Sequence, residues 1–266
     1  MIKMLVFDLD GTLLDYDKNL VKKDIEAIGS AVQQGIGLTI ATGRMDHEIL
    51  HILDVLGQPG VGHRVSQNGS FVYNRQGEQI ASHTFDEDTA KHLYTLVPED
   101  EVFLSVSTET DTYVRAKNEG TKEMEKRMFH EILEDEQLYT KLGQDISPSK
   151  ISVHGPTERL IEKQKEIDEA LGHALDSFIS DPYCLDMVPK GVSKGASLSE
   201  LLTHLNLKPE EVACVGDSFN DISMFELTPY SFAMSHGHSD VKKKASQVVD
   251  YAYEAVNFVF STQSTN

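Results

Sequence analysis

Three times in this chain a short apolar run stops abruptly at a polar segment, and that arrangement limits the fold more than any other. Ile2 to Phe7 runs into Asp8-Leu9-Asp10-Gly11-Thr12, Ile36 to Ala41 into Thr42-Gly43-Arg44, and Val212 to Val215 into Gly216-Asp217-Ser218. Runs this short, bounded by glycine and polar residues, predict buried strands. Between the first two, Leu20, Val21, Ile25, Ile28 and Val32 recur at three- and four-residue spacing, and Gly35 closes the stretch as a helix end. A second amphipathic stretch, Ile49 to Leu56, stops at Gly57-Gln58-Pro59-Gly60. Strand, helix, strand, helix with short connections predicts a parallel sheet with right-handed crossovers, an α/β doubly wound core.

The rhythm then breaks. Val65 to Ile80 alternates around Asn68-Gly69 and Asn74 to Gly77, which predicts hairpins. From Thr84 onward the spacing predicts helices over Asp86–Leu96, Thr121–Leu142 and Thr157–Leu171. Strands are expected at Val102–Val106, Thr112–Ala116, Ile151–His154, Ser177–Ser180 and Tyr183–Val188. We read this as an inserted α+β module over 84–183, set into a core made of 1–83 and 184–266. In the core, helices are expected at Val192–Leu205, Ile222–Leu227, Val241–Ala245 and Ala255–Phe260, with a strand at Phe232–Met234 and a frayed end from Ser261.

A formal charge of −19, from 24 basic and 43 acidic residues, argues against a general nucleic-acid binder. It also means that a site for an anionic substrate must supply its positive charge locally. Two cysteines, Cys184 and Cys214, are too few for a disulfide framework, sit in apolar strands and are expected in the core. Acidic residues arrive too early for a signal-peptide core, and no apolar run approaches a membrane span; a cytoplasmic, reducing location without membrane contact is the expectation.

In an open α/β sheet, ligands bind beyond the carboxyl ends of the strands. Four groups are expected there: Asp8 to Thr12, Thr42-Gly43-Arg44, Lys190 to Gly195, and Gly216-Asp217-Ser218-Phe219-Asn220-Asp221. Asp8-x-Asp10-Gly11-Thr12-Leu13 resembles the first motif of the haloacid dehalogenase-like phosphatases. Thr42-Gly43-Arg44, Ser193-Lys194-Gly195 and Gly216-Asp217-x-x-Asn220-Asp221 follow in the order that family uses. With an insert between the second and third motifs, the whole chain is similar to Cof-type members carrying the larger αβ (class IIB) cap. It departs from them at Ser235-His236-Gly237-His238, where a Met-Gly-Asn-Ala run is common.

The residue types suit the chemistry. A carboxylate can attack phosphorus and form an acyl phosphate, but it faces a substrate of its own sign. A hard divalent cation removes that conflict, and magnesium prefers oxygen ligands. Asp8 is the expected nucleophile and metal ligand, with Asp217 a second carboxylate ligand. The resemblance implies the backbone carbonyl of Asp10 as a third, and implies that the Asp10 side chain protonates the leaving group and then activates water. Asp221 either meets the metal through water or locks its loop.

The resemblance also implies that Thr42 and Gly43 donate to phosphoryl oxygens, that Lys194 offsets phosphoryl charge, and that Asn220 touches phosphate or orients Asp217. Leu9 is included with these in the phosphate- and substrate-binding set. Arg44 either binds the remainder of an anionic substrate or lies on the surface. Lys194 is chosen over Lys190 because it opens the helix containing Leu198, Leu201 and Leu202. His47 and His51 share a helix face without a third ligand, and the charged run from Lys117 to Glu136 reads as a solvated helix face.

The expected function is magnesium-dependent hydrolysis of a small phosphomonoester through an aspartyl-phosphate, in a monomer or homodimer. The insert would act as a cap that sets specificity. Sugar phosphates lead as substrates, followed by phosphorylated cofactors such as flavin mononucleotide or pyridoxal phosphate. A phosphomutase shares this machinery, and a non-enzymatic phospho-aspartate switch is a rival of another class.

Overall fold

A computed structural model of the chain describes residues 1–15, 17–97, 102–127 and 130–263. In chain order the first unit opens with β1 (Met4–Phe7), α1 (Lys22–Gln33), β2 (Gly37–Ala41), α2 (Asp46–Val55), β3 (His63–Ser66), β4 (Phe71–Tyr73) and β5 (Gln79–Ser82). The insert follows with α3 (Glu87–Leu96), β6 (Phe103–Ser107), β7 (Thr112–Val114), α4 (Glu119–Arg127), β8 (Ile132–Glu134), α5 (Leu138–Lys141), β9 (Lys150–His154), α6 (Thr157–Leu171), β10 (Leu175–Asp181) and β11 (Cys184–Pro189). The chain then returns through α7 (Lys194–His204), β12 (Val212–Gly216), α8 (Ile222–Leu227), β13 (Tyr230–Met234), α9 (Ser239–Lys242), β14 (Gln247–Val249) and α10 (Ala252–Gln263).

The first unit comprises Met1–Ser82 and Ser193–Asn266. Its sheet runs β14-β13-β12-β1-β2-β3-β4-β5, parallel from β14 to β3 and antiparallel at β4 and β5. Both faces of the central strands are covered, which is why their sequences are unbroken apolar runs. Leu5, Phe7, Leu38, Ile40, Ala213 and Val215 share one core cluster with residues of α1, α2 and α10; Met4, Val6, Val212 and Cys214 share the other with residues of α7 and α8. The expected doubly wound α/β core is therefore present, with β14 as a strand the sequence did not suggest.

Phe7 lies in register with both Ile40 of β2 and Val215 of β12, so the carboxyl ends of all three strands reach one edge together. From β1 the chain winds outward through β2 and β3, and only after the insert does it return to β12 on the other side. Strand order reverses between β1 and β12, the place where open α/β sheets bind ligands.

The second unit is His83–Val192. Its six-stranded sheet, β10-β11-β9-β6-β7-β8, packs an apolar face that includes Leu104, Val106, Val153 and Leu185 against Leu93 of α3 and Leu160 and Ile167 of α6. The other face is polar: Ser152 Oγ donates to Asp186 Oδ1 at 2.5 Å, and Ser105 Oγ lies 2.8 Å from His154 Nε2.

Two expectations about this unit are corrected. The boundary placed at 183/184 moves to 192/193, because β11 pairs antiparallel with β10 and β9 and belongs to the insert's sheet. The single helix expected over Thr121–Leu142, part of which lies outside the described residues, is α4, β8 and α5. Ile132 is fully buried in β8, which pairs with β7, while the Glu125 carboxylate of α4 accepts from the Ile132 amide. Among the described residues no helix is long and apolar enough to cross a membrane.

Candidate active site

Asp8 leaves β1 with its amide donating to the Val215 carbonyl at 3.0 Å, which ties Asp8 to the neighbouring strand. Lys194, the first residue of α7, is wholly buried, and its Nζ lies 2.6 Å from Asp8 Oδ1 and 2.7 Å from Asp221 Oδ1. Ser193 caps α7, its hydroxyl accepting from the Ala196 amide, and this fixes where the lysine enters. Lys190 instead pairs with Asp176 in the insert, whereas Lys194 reaches Asp8.

Asp221 uses both oxygens within the protein. Oδ1 takes the lysine, and Oδ2 accepts from the amides of Asp217 and Ser218, each at 2.9 Å. Of the two roles left open for it, this geometry favours locking the loop.

Asp8, Asp217 and Asp221 bring carboxylate oxygens within 4.8 Å of one another, with one ammonium among them. Burial pushes the Asp8 carboxyl well above its ordinary range; Lys194 opposes this, and Asp221 and Asp217 add to it. Asp217 is raised to about 6, first by burial and then by Asp221. Burial disfavours the Lys194 ammonium, but the two carboxylates outweigh it and hold the lysine charged.

Three carboxylates against one buried cation are short of positive charge, and every donor is a hard oxygen: the set fits magnesium. Asp8 Oδ2 has no partner among the described residues, and neither does the Asp10 carbonyl, so both are open to a ligand role. Among the described residues, the Asp217 carboxylate meets Thr12 Oγ1 at 3.3 Å and His236 Nε2 at 3.9 Å. Gly11 makes the approach possible. Its φ is +84°, and a Cβ there would lie 2.4 Å from Asp217 Oδ2.

Asp10 is gripped by cations. Arg44 Nε donates to Oδ2 at 2.7 Å and Arg44 Nη2 to Oδ1 at 2.8 Å, while Lys18 Nζ donates to Oδ1 at 2.7 Å. Burial pushes this carboxyl up, but Arg44 and then Lys18 outweigh it and hold it at about 2. Arg44, expected on substrate or at the surface, is instead one-tenth exposed and bound to Asp10 and Glu48.

Thr42 does not cap α2, whose N-cap is Met45. Its hydroxyl accepts from the Arg44 amide at 3.2 Å, which leaves its proton to donate. Leu9 buries its side chain in the core, so only its backbone can face a ligand, and its amide has no acceptor among the described residues.

Asn68 was missed as a site residue. It lies beyond the end of β3 at φ +59°, donates its amide to the Thr42 carbonyl at 2.9 Å, and accepts from Asn220 Nδ2 at 3.0 Å through its side chain. The preceding Gln67, also left-handed, donates its amide to the Arg44 carbonyl at 2.9 Å. This turn thus laces the Thr42 loop to the Asn220 loop. Asn220 Oδ1 is buried without a partner among the described residues. The signal was present in Asn68-Gly69, but it read as an ordinary hairpin turn.

The sequence profile of the haloacid dehalogenase-like hydrolases matches residues 5–257. The chain belongs to that family. This haloacid dehalogenase-like hydrolase is 27% identical to an HMP-PP phosphatase of Serratia proteamaculans, over 93% of this chain and 89% of the relative. It is 25% identical to a 5-amino-6-(5-phospho-D-ribitylamino)uracil phosphatase of Bacillus subtilis, over 93% and 92%. A solved haloacid dehalogenase-like hydrolase from Bacteroides thetaiotaomicron is 26% identical and superposes with a TM-score of 0.85, covering 97% of this chain and all (100%) of that one.

Proposed function

We propose that this haloacid dehalogenase-like hydrolase is a magnesium-dependent phosphatase that hydrolyses small phosphomonoesters through an aspartyl-phosphate on Asp8. The observation that carries the reading is the pinned carboxylate at the sheet's switch point: Lys194 fixes Asp8 Oδ1, Oδ2 has no partner among the described residues, and Asp8 converges with Asp217 and Asp221 to within 4.8 Å. A divalent cation held by Asp8, Asp217 and the Asp10 carbonyl would supply the missing positive charge, keeping Asp8 ionised and screening it from the phosphoryl group.

The residues then divide the work. Asp8 Oδ2 forms a bond to phosphorus as the bond to the leaving oxygen breaks, and that oxygen takes a proton from Asp10. Asp10, now ionised, takes a proton from water as the water attacks phosphorus, which frees Asp8 and inorganic phosphate. The cationic grip on Asp10 favours its ionised form, the form the second step needs. For the first step Asp10 must first collect a proton, and a substrate phosphate whose second ionisation lies near pH 6 can hand it one before the leaving oxygen takes it. Thr42, the Leu9 amide and Lys194 would receive phosphoryl oxygens, with Lys194 the buried charge that an acidic chain must provide locally.

Sugar phosphates and phosphorylated cofactors are the proposed substrate class. Relatives named for small phosphorylated metabolites support it, and the insert, with its polar sheet face, would select among them. Free Cys184 and Cys214 suit a reducing compartment. The test is phosphate release from a panel of phosphorylated metabolites with magnesium, comparing wild type with Asp8→Asn. Release that Asp8→Asn abolishes, and that chelation stops, is expected. Isomerised phosphosugar without free phosphate would make the protein a mutase, and a stable phospho-aspartate without product would make it a switch.

A further inference from the structure

Lys18 lies outside the motifs that define the site, yet the fold holds it in a conformation that only glycine adopts freely. Its φ is +62°. The loop around it closes through a bridge between Leu14 and Leu20, the Lys18 amide donates to the Asp15 carbonyl at 2.9 Å, and the Asp15 carboxylate accepts from the amides of Asp17 and Asn19. Such strain is retained where the surroundings over-determine it, and it gathers at functional sites. Here it delivers one ammonium, about one-third exposed, to one oxygen: Lys18 Nζ on Asp10 Oδ1 at 2.7 Å.

The distribution of donors over Asp10 is uneven. Among the described residues Oδ1 accepts from two cations, Lys18 and Arg44 Nη2, whereas Oδ2 accepts only from Arg44 Nε. A carboxylate oxygen has about two lone-pair positions, so Oδ1 is filled and Oδ2 retains one. We propose that Lys18 is a positioning residue that fills Asp10 Oδ1 and so makes Oδ2 the oxygen that exchanges protons with leaving group and water. Arg44 alone bridges both oxygens and does not distinguish them; the second donor on Oδ1 does. The inference rests on the phosphatase reading above, in which Asp10 is the acid and base.

Leaving-group dependence separates this role from a structural one. A poor leaving group needs a well-aimed acid for the step that kcat/KM reports, and p-nitrophenolate does not. The experiment therefore measures kcat/KM for glucose 6-phosphate, or the best alkyl phosphate of the panel, against p-nitrophenyl phosphate. It uses wild type, Lys18→Met, Lys18→Arg and Lys18→Gly. General acid catalysis is worth about 10²–10⁴, so losing its aim should lower the alkyl-to-aryl ratio of kcat/KM by roughly tenfold or more in Lys18→Met. Lys18→Arg should recover most of it.

Lys18→Gly relieves the backbone and removes the amine, and it should show the same fall in ratio together with a cooperative melt. A wild-type ratio in both the Met and Gly variants, or an equal loss on both substrates, would overturn the assignment. Wild-type turnover that Asp8→Asn fails to remove would bring down the phosphatase reading itself, and this inference with it.

Discussion

Replacing Lys194 with methionine keeps most of the side chain's volume and removes only its charge. The cost is therefore electrostatic. In wild type, Nζ sits 2.6 Å from Asp8 and 2.7 Å from Asp221, with none of the lysine side chain exposed. Breaking such a buried pair costs about 3–5 kcal/mol when the orphaned carboxylate stays ionised. The protein can instead protonate that carboxylate. From an ordinary value of 3.8, this costs about 4 kcal/mol at pH 7 and about 2 kcal/mol at pH 5, at 1.36 kcal/mol per pH unit.

The two routes agree near neutrality, so Lys194→Met should lose about 4 kcal/mol at pH 7. At pH 5 protonation is cheaper, and the loss should shrink to about 2 kcal/mol. The sign follows from linkage: the variant's folded state binds one proton more than that of wild type while the two unfolded states bind the same number, so the deficit grows as pH rises through this window. At roughly 2–4 °C per kcal/mol, the deficit in Tm is about 8–16 °C at pH 7 and about half that at pH 5. Thermal melts by circular dichroism in EDTA read it directly. A deficit of the same size at both pH values, or one too small to measure at pH 7, would refute the claim that the lysine's charge holds this cluster together.

Gly11→Ala should lower both magnesium affinity and turnover, because its Cβ would stand 2.4 Å from Asp217 Oδ2 and its φ of +84° disfavours alanine by about 1–2 kcal/mol. Wild-type magnesium titration by calorimetry would count against the close approach. Asp24 is almost wholly buried, accepts from the Tyr253 amide, and is raised to about 6, mainly by burial. A raised carboxyl stabilises the fold only while protonated, so wild type should lose up to about 3 kcal/mol between pH 4 and pH 6, and Asp24→Asn should not. Parallel curves of Tm against pH for the two proteins would reject that cost.

The parts of the site legible in sequence are those whose chemistry is local. Asp8, Thr42 and Asp217 each follow a strand whose apolar run marks where it ends, and parallel pairing then carries all three to one edge. Lys194 was found because a helix pattern begins at it. The parts not legible depend on what the fold brings alongside. Arg44 was left between substrate and surface because its partners, Asp10 and Glu48, become neighbours only when the strand ends meet. Lys18 bears no pattern at all; its meaning lies in a left-handed φ. Asn68-Gly69 gave its turn correctly but not that the turn opens at the ligand edge. In the insert, charge-rich Thr121–Leu142 has helical composition throughout, and only pairing with β7 makes Ile132 a strand residue.

The position of β1 has a consequence in time. Asp8 and Lys194 lie 186 residues apart, and β1 remains an open edge of the sheet until β12 docks against it. At about 5–20 residues per second, a ribosome takes roughly 10–40 s to cover that interval. For that period the nascent chain carries an apolar strand with one row of amides and carbonyls unpaired, the template on which aggregation starts. Asp8 is thus made near the beginning of synthesis and meets Lys194 only late, so a chain cut short before that lysine lacks both that pairing and the cover for its open edge.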